Sequence, residues 1–326
     1  KSCSSIKAEW RRKARRPICS VIRVLSVCAN FWRGRFDKPP RGCTAERRGD
    51  DTQKTNLNKE TDMKLKVLSL IALLAGAATG AQAEGQLKIG TEGAYPPWSM
   101  ADANGAVTGF DADVGNMLCV KLEKECVFVV QAFDGLIPAL NAKQFDIIIS
   151  GMSITADRKK EINFSVGYAE LANKVVVAKG SDLAGLTEIP ALLAALDGHS
   201  VGVQAGTTHA HFMEKLAPTA TLKSYGTLDE MQIDLANGRI DAGFADVSAL
   251  QSFLDKPEGA DFQFVDVNII STYDATLGEG IGVGIRHDDA ELKAKIDTAL
   301  CELIADGSIK TSSEKWFQMD ISRPCQ

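Results

Sequence analysis

Three short segments hold the residue types from which a small-molecule site is built. Glu92-Gly93-Ala94-Tyr95-Pro96-Pro97-Trp98 is acidic and aromatic and follows a β-type run. Ser150-Gly151-Met152-Ser153-Ile154-Thr155-Ala156-Asp157-Arg158 follows the apolar triplet Ile147-Ile148-Ile149. Gln204-Ala205-Gly206-Thr207-Thr208-His209 lies between the apolar Val201-Gly202-Val203 and a helical pattern. Thr207 and Thr208 are placed to cap that helix, which leaves backbone N–H groups aimed at an anion. Arg158 has the planar fork that clamps a carboxylate with two hydrogen bonds. Any one of these loops alone reads as an ordinary turn and cap. Together they mark a ligand site.

Other motifs fail on context. Gly198-His199-Ser200-Val201-Gly202 fits the G-x-S-x-G of a serine-hydrolase elbow. That elbow needs a strand before the serine and a helix after it, and here Ser200 follows a helix and opens a strand. Gly278-Glu279-Gly280-Ile281-Gly282-Val283-Gly284 contains no G-x-G-x-x-G and leads into a strand, so it reads as a connection and not a phosphate cradle. His209 and His211 are two apart on a helix and do not share a face. No C-x-x-C spacing occurs, so zinc, and a cofactor of any kind, is not expected.

The elements that must position these loops alternate along the chain. Leu87–Ile89, Val127–Val130, Ile147–Ile149, Val175–Val177, Val201–Val203, Leu222–Tyr225, Ala242–Ala245, Phe262–Val265 and Ile281–Ile285 read as strands. Phe110–Lys121, Ile137–Asn141, Ala191–Leu196, His209–Leu216, Leu228–Ala236 and Ala290–Ala305 read as helices. Such alternation predicts α/β sheets with parallel strands. Those sheets bind ligands beyond their carboxyl ends. With two lobes, the cleft between them is the natural site.

Charge is distributed unevenly over the 326 residues. Residues 1–62 carry 16 Lys+Arg and 7 Asp+Glu, whereas residues 84–326 carry 19 and 35. A body with a net charge of −16 will not bind nucleic acid by phosphate neutralisation. No stretch reaches the 18 or so uninterrupted apolar residues of a membrane span. From Met63 the sequence reads as a secretory signal: Lys64 and Lys66, the apolar run Val67–Ala75, then Ala81-Gln82-Ala83 as the cleavage site. Residues 63–83 are therefore expected to be removed, with Glu84 the mature start, in the periplasm and without a lipid anchor. Residues 1–62 read as a non-native upstream extension. Export would bring Cys119, Cys126, Cys301 and Cys325 into an oxidising compartment. A Cys119–Cys126 bridge would staple a helix to a strand, worth roughly 2–3 kcal/mol for so short a loop. Cys301 and Cys325 are the remaining pair.

At these residues the chain resembles the periplasmic solute-binding proteins of polar amino-acid ABC transporters, in the group that binds lysine/arginine/ornithine, histidine or opines. The resemblance runs from Leu87 to the C-terminal end. It is carried by Gly109-Phe110-Asp111-Ala112-Asp113-Val114-Gly115, Phe133-Asp134-Gly135-Leu136-Ile137-Pro138-Ala139-Leu140, Ser153-Ile154-Thr155 with Arg158, and Gly238-Arg239-Ile240-Asp241-Ala242. The Cys119/Cys126 spacing also matches the group's disulfide. The resemblance implies a type II periplasmic-binding-protein fold, a Venus flytrap of two α/β lobes joined by a two-strand hinge around an interlobe ligand cleft. Lobe 1 would comprise 84–170 and 272–326, and lobe 2 would comprise 171–271.

Carried over by position, Arg158 and the Thr208 N–H would hold an α-carboxylate. Asp246 would pair with the α-ammonium, aided by the Ser150 carbonyl and the Ser153 hydroxyl. Tyr95 and Phe133 would sandwich the side chain, and Glu92 would meet a distal cation. Gln204, Thr207 and His209 would line the lobe 2 wall. Gly151 departs from the serine common in lysine/arginine binders, and Gln204–His209 is closer to the opine binders. Asp246 and Ser153 fit the amino-acid binders. The expected role is therefore a monomeric, non-catalytic carrier that hands arginine, ornithine, lysine or histidine to an inner-membrane permease. An opine carrier of octopine or nopaline type is the alternative. A periplasmic dehydratase on the same fold is a further one, since Glu92 could act as an acid over a leaving hydroxyl. A receptor's sensor lobe is disfavoured because no anchor or output domain is expected.

Overall fold

The computed structural model describes residues 85–326. The upstream extension, the signal segment and Cys3, Cys19, Cys28 and Cys43 lie outside the described residues. The chain runs β1 (Gln86–Thr91), β2 (Ala94–Tyr95), β3 (Ser99–Ala101), β4 (Val107–Thr108), α1 (Phe110–Lys121), β5 (Glu125–Val130), α2 (Leu136–Asn141), β6 (Ile147–Ile148) and β7 (Asn163–Phe164). It continues through β8 (Asn173–Ala178), α3 (Ile189–Ala195), β9 (Ser200–Gln204), α4 (Thr208–Leu216), β10 (Thr221–Tyr225), α5 (Leu228–Ala236), β11 (Ala242–Asp246), α6 (Val247–Leu254) and β12 (Phe262–Phe264). It closes with β13 (Gly284–Ile285), α7 (Ala290–Ala305) and α8 (Ser308–Phe317).

Two five-stranded sheets form the two lobes, in the orders β5-β1-β6-β13-β7 and β10-β9-β11-β8-β12. Each has a parallel half: β1 with β5 and β6, and β9 with β10 and β11. The short runs that read as strands are central and covered on both faces, so Ile147, Ile148, Val176 and Val177 are fully buried. The expectation of parallel sheets needs correction at one strand in each. β8 runs antiparallel to β11 and β12, and β13 runs antiparallel to β6 and β7. Each is the first strand its sheet receives after the chain has crossed from the other lobe, so it enters from the opposite end.

The crossing segments pair with each other. Asn173 and Ile269 exchange backbone hydrogen bonds at 2.9 and 3.1 Å, and the Ser271 hydroxyl donates to Glu170. The expected strand Ile281–Ile285 shortens to Gly284–Ile285, because the Ile281 N–H donates to Ala169 O on the crossing segment at 2.8 Å. Two helices escape the sequence pattern, α6 and α8. The second is largely polar, and it is held to α1 by Asp113, which accepts from Ser312, Lys315 and Trp316 at 2.8–2.9 Å. Disulfides join Cys119 of α1 to Cys126 of β5, and Cys301 of α7 to Cys325.

Candidate functional site

Parallel strands end at one edge of a sheet, and here both sheets turn that edge toward the same cavity. Glu92 follows β1, and Ser150, Gly151, Ser153 and Arg158 follow β6. Phe133 follows β5 on a single helical turn, and Tyr95 sits on β2. From the other lobe come Gln204 at the end of β9, Thr207, Thr208 and His209 at the start of α4, and Asp246 at the end of β11. All twelve residues read as site residues line this one cavity.

Local sequence explains several positions. The Thr207 Oγ1 accepts from the Ala210 N–H at 3.3 Å and caps α4, so Thr208 lies in the first turn, where N–H groups lack intrahelical partners. Gly151 has a φ of +52°, and a Cβ there would meet the Trp98 ring at 3.3 Å. A serine is therefore disfavoured here both by backbone and by space. His209 is buried at the cavity and His211 is exposed beside Glu214, as i and i+2 on a helix require.

Three hydrogen bonds join residues of the two lobes at the cavity. The Gln204 Nε2 donates to Glu92 Oε1 at 2.5 Å. The Arg158 Nη2 donates to Gly206 O at 3.0 Å, while its Nη1 donates to Ser153 O at 2.9 Å. The Asp246 N–H donates to the Tyr95 hydroxyl at 3.3 Å. Phe133 packs its ring face on the Arg158 guanidinium, 5.4 Å from the centroid. The cavity encloses about 30 Å³, room for a water or two. A guest the size of an amino acid must therefore part the walls and exchange these contacts.

The electrostatics are those of a water-poor box with one fixed cation and two acids. Burial raises the Glu92 carboxyl to about 7, against the pull of the Gln204 amide, and the nearby Asp134 and Asp229 add to the rise. Burial likewise raises Asp246 to about 7, opposed by the Tyr95 hydroxyl. Burial, with the Arg158 charge behind it, lowers His209 to about 3, so its ring is neutral. The box complements a guest that offers one carboxylate and two separated cations.

Two polar residues of the surrounding layer are not among the residues read as site residues from the sequence. Asp111, buried in the first turn of α1, accepts the Gly151 N–H at 3.2 Å. Asn173, buried at the start of β8, holds its Oδ1 2.8 Å from the His209 Nε2. A first-turn aspartate reads as helix chemistry and a strand-edge asparagine as a boundary. Inward-facing polarity within an apolar helical face was the one available clue to Asp111.

Among known proteins, the model of the bacterial extracellular solute-binding proteins, family 3, matches residues 87–319. The octopine-binding periplasmic protein of Rhizobium meliloti is 34% identical over 296 residues, covering 80% of this chain and 99% of that protein. The lysine/arginine/ornithine-binding periplasmic protein of Escherichia coli is 38% identical over 266 residues, covering 79% and 99%. A solved periplasmic binding protein of Salmonella typhimurium, described for its high arginine specificity, superposes with a TM-score of 0.64 at 33% identity, covering 72% of this chain and 99% of that one.

Proposed function

The chain belongs to family 3 of the bacterial extracellular solute-binding proteins, and we propose that it captures a cationic α-amino acid in the periplasm and delivers it to an ABC permease. The observation that carries this reading is the set of charges that line one cavity: Arg158 from one lobe, Asp246 from the other, and Glu92 in the same lining as Tyr95. Arg158 and the first-turn N–H of Thr208 hold the α-carboxylate. Asp246 pairs with the α-ammonium, with the Ser150 carbonyl and Ser153 hydroxyl beside it. Tyr95 and Phe133 flank the aliphatic stem, and Glu92 with Gln204 meets the distal cation. Gly151, Thr207 and His209 complete the wall.

Binding on this scheme needs no bond to be broken in the guest. Two lobes, 84–170 with 272–326 and 171–271, swing about the paired crossing segments to close over it. The mature protein begins at Glu84 after removal of 63–83, and it works as a monomer.

Octopine is the second reading, favoured by Gln204–His209 and by the 34% identity to an octopine binder. The nitrogen of an opine bears a carboxylated substituent, which Asp246 would repel. Mass spectrometry of ligand that copurifies, followed by calorimetry with arginine, ornithine, lysine, histidine, octopine and glutamine, tests the assignment. Binding of octopine alone would replace the cationic amino acid. Turnover of prephenate or arogenate would show that the chain is instead an enzyme.

A further inference from the structure

Asp111 does not line the cavity, yet it joins the two lobe 1 loops that do. Its backbone N–H donates to Trp98 O at 2.9 Å, and that of Phe110 donates to Pro97 O at 3.1 Å. These bonds fasten the loop Glu92–Trp98, which carries Glu92 and Tyr95, to the start of α1. The Asp111 Oδ1 accepts the Gly151 N–H at 3.2 Å and so fastens the loop Ser150–Arg158 to the same point. Gly151 has a left-handed backbone, with φ at +52°. The two loops also meet directly, where the Glu92 N–H donates to the Ser150 Oγ at 3.0 Å.

A first-turn aspartate ordinarily faces water, caps its own helix or meets the positive end of the helix dipole. Asp111 caps no N–H of α1 and is fully buried. Its Oδ2 has no hydrogen-bond partner among the described residues. The charged groups that act on it are Glu92 from beyond β1 and Asp246 from β11, both acids. Tyr168, its titratable neighbour on the crossing segment, is a phenol kept neutral by burial. An ionised carboxylate with a bare oxygen and no cation beside it is costly to bury. The helix N-terminus favours the anion far less than burial disfavours it. Burial accordingly raises the Asp111 carboxyl well above the ordinary range, opposed by the Gly151 N–H, and Glu92 and Asp246 add to the rise.

We propose that Asp111 is a positioning residue that works as a neutral carboxylic acid, holding the loop of Glu92 and Tyr95 and the loop of Ser150, Ser153 and Arg158 in one register. This rests on reading the cavity as the ligand site, whatever the guest. Binding groups must be held within about 0.5 Å of their productive geometry. A loop released from Asp111 therefore loses affinity for every guest. Because the acid stays protonated, the register holds across the range in which Glu92 and Asp246 ionise. An amide at position 111 keeps an acceptor for the Gly151 N–H and puts an N–H where the acid has its O–H. A methyl group keeps neither.

The first test is infrared spectroscopy of ligand-free protein at about pH 9, where Glu92 and Asp246, each near 7, are ionised. The C=O stretch of one protonated carboxyl group is expected, and Asp111→Asn should remove it. Absence of the band, or its persistence in the variant, overturns the neutral acid. The second test is calorimetry with arginine, paired with hydrogen exchange at the Gly151 amide. Asp111→Asn should bind within about threefold of wild type, and Asp111→Ala about tenfold or more weakly. Gly151 exchange should quicken in the alanine variant only. An alanine variant with wild-type affinity, or a folded asparagine variant as weak as the alanine one, overturns the positioning role. Should the alanine variant fail to fold, Asp111→Asn still decides, since a loss of about tenfold or more there overturns the proposal. A wild-type protein that binds none of the cationic amino acids refutes the ligand reading, while the infrared band and the Gly151 exchange judge Asp111 by themselves.

Discussion

Glu92→Gln should make the ligand-free protein more stable and the carrier worse. Glu92 is only 5% exposed, and burial lifts its carboxyl from 4.5 to about 7. The unfolded chain releases this proton near 4.5 and the folded chain only near 7, so between those values the folded state holds more protons. Wild-type stability therefore falls as pH rises through that window and stays lowered above it. A shift of this size corresponds to a penalty on the order of 3 kcal/mol above about pH 7. An amide carries no such penalty. It forfeits the charge-assisted bond from the Gln204 Nε2, but the Gln204 Oε1 is buried without a partner, and the new amide can donate to it. With about 1 kcal/mol charged against that exchange, the variant should gain about 2 kcal/mol near pH 8, or several degrees in Tm. The gain should vanish near pH 4. Binding should move the other way. Arginine loses its partner for the distal cation, about 2–3 kcal/mol or on the order of a hundredfold in Kd, whereas a neutral amino acid such as glutamine keeps its affinity. Thermal melts of ligand-stripped protein at the two pH values, with calorimetry against arginine and glutamine, measure both effects. A variant that melts lower near pH 8, or that loses arginine and glutamine equally, refutes the placement of Glu92 at the side-chain end.

Arg158→Ala should weaken every amino-acid ligand by about 2–5 kcal/mol in calorimetry, because it strands a carboxylate in the cavity; a loss under about tenfold would remove Arg158 from the carboxylate site. Glu92 and Asp246 are both raised to about 7, and a cationic ligand favours their ionised forms. Arginine affinity should therefore fall by nearly three orders of magnitude, about 25-fold for each acid, from about pH 7.5 to about pH 5.5. Proton release on binding should appear as a buffer-dependent heat near pH 6.5; a flat profile would show that neither acid meets the ligand. Cys126→Ser should cost about 2–3 kcal/mol in denaturant unfolding. Non-reducing peptide mapping that finds Cys119 and Cys126 as free thiols in wild-type protein would refute that contribution.

Much of the architecture was legible because it is local. The helices Phe110–Lys121, Leu228–Ala236 and Ala290–Ala305 keep the bounds their periodicity gives. The apolar triplets Ile147–Ile149 and Val175–Val177 mark buried strands wherever they fall in a sheet. The cap at Thr207 was also readable, since a cap acts through neighbouring backbone atoms.

Sequence spacing could not say that Glu92 and Gln204, 112 residues apart, would share a hydrogen bond. That depends on strand order and on where the chain crosses between lobes. The same crossings turn β8 and β13 antiparallel, which no hydrophobic period encodes. The second polar layer was hidden for a related reason. Asn173 looks like a strand end until the fold sets Ile269 on one side of its amide and His209 on the other. Residue type and spacing determine which groups are available. Only the packed structure decides which groups lose their water and which then become one another's partners, because desolvation is a property of the whole surround and not of the segment.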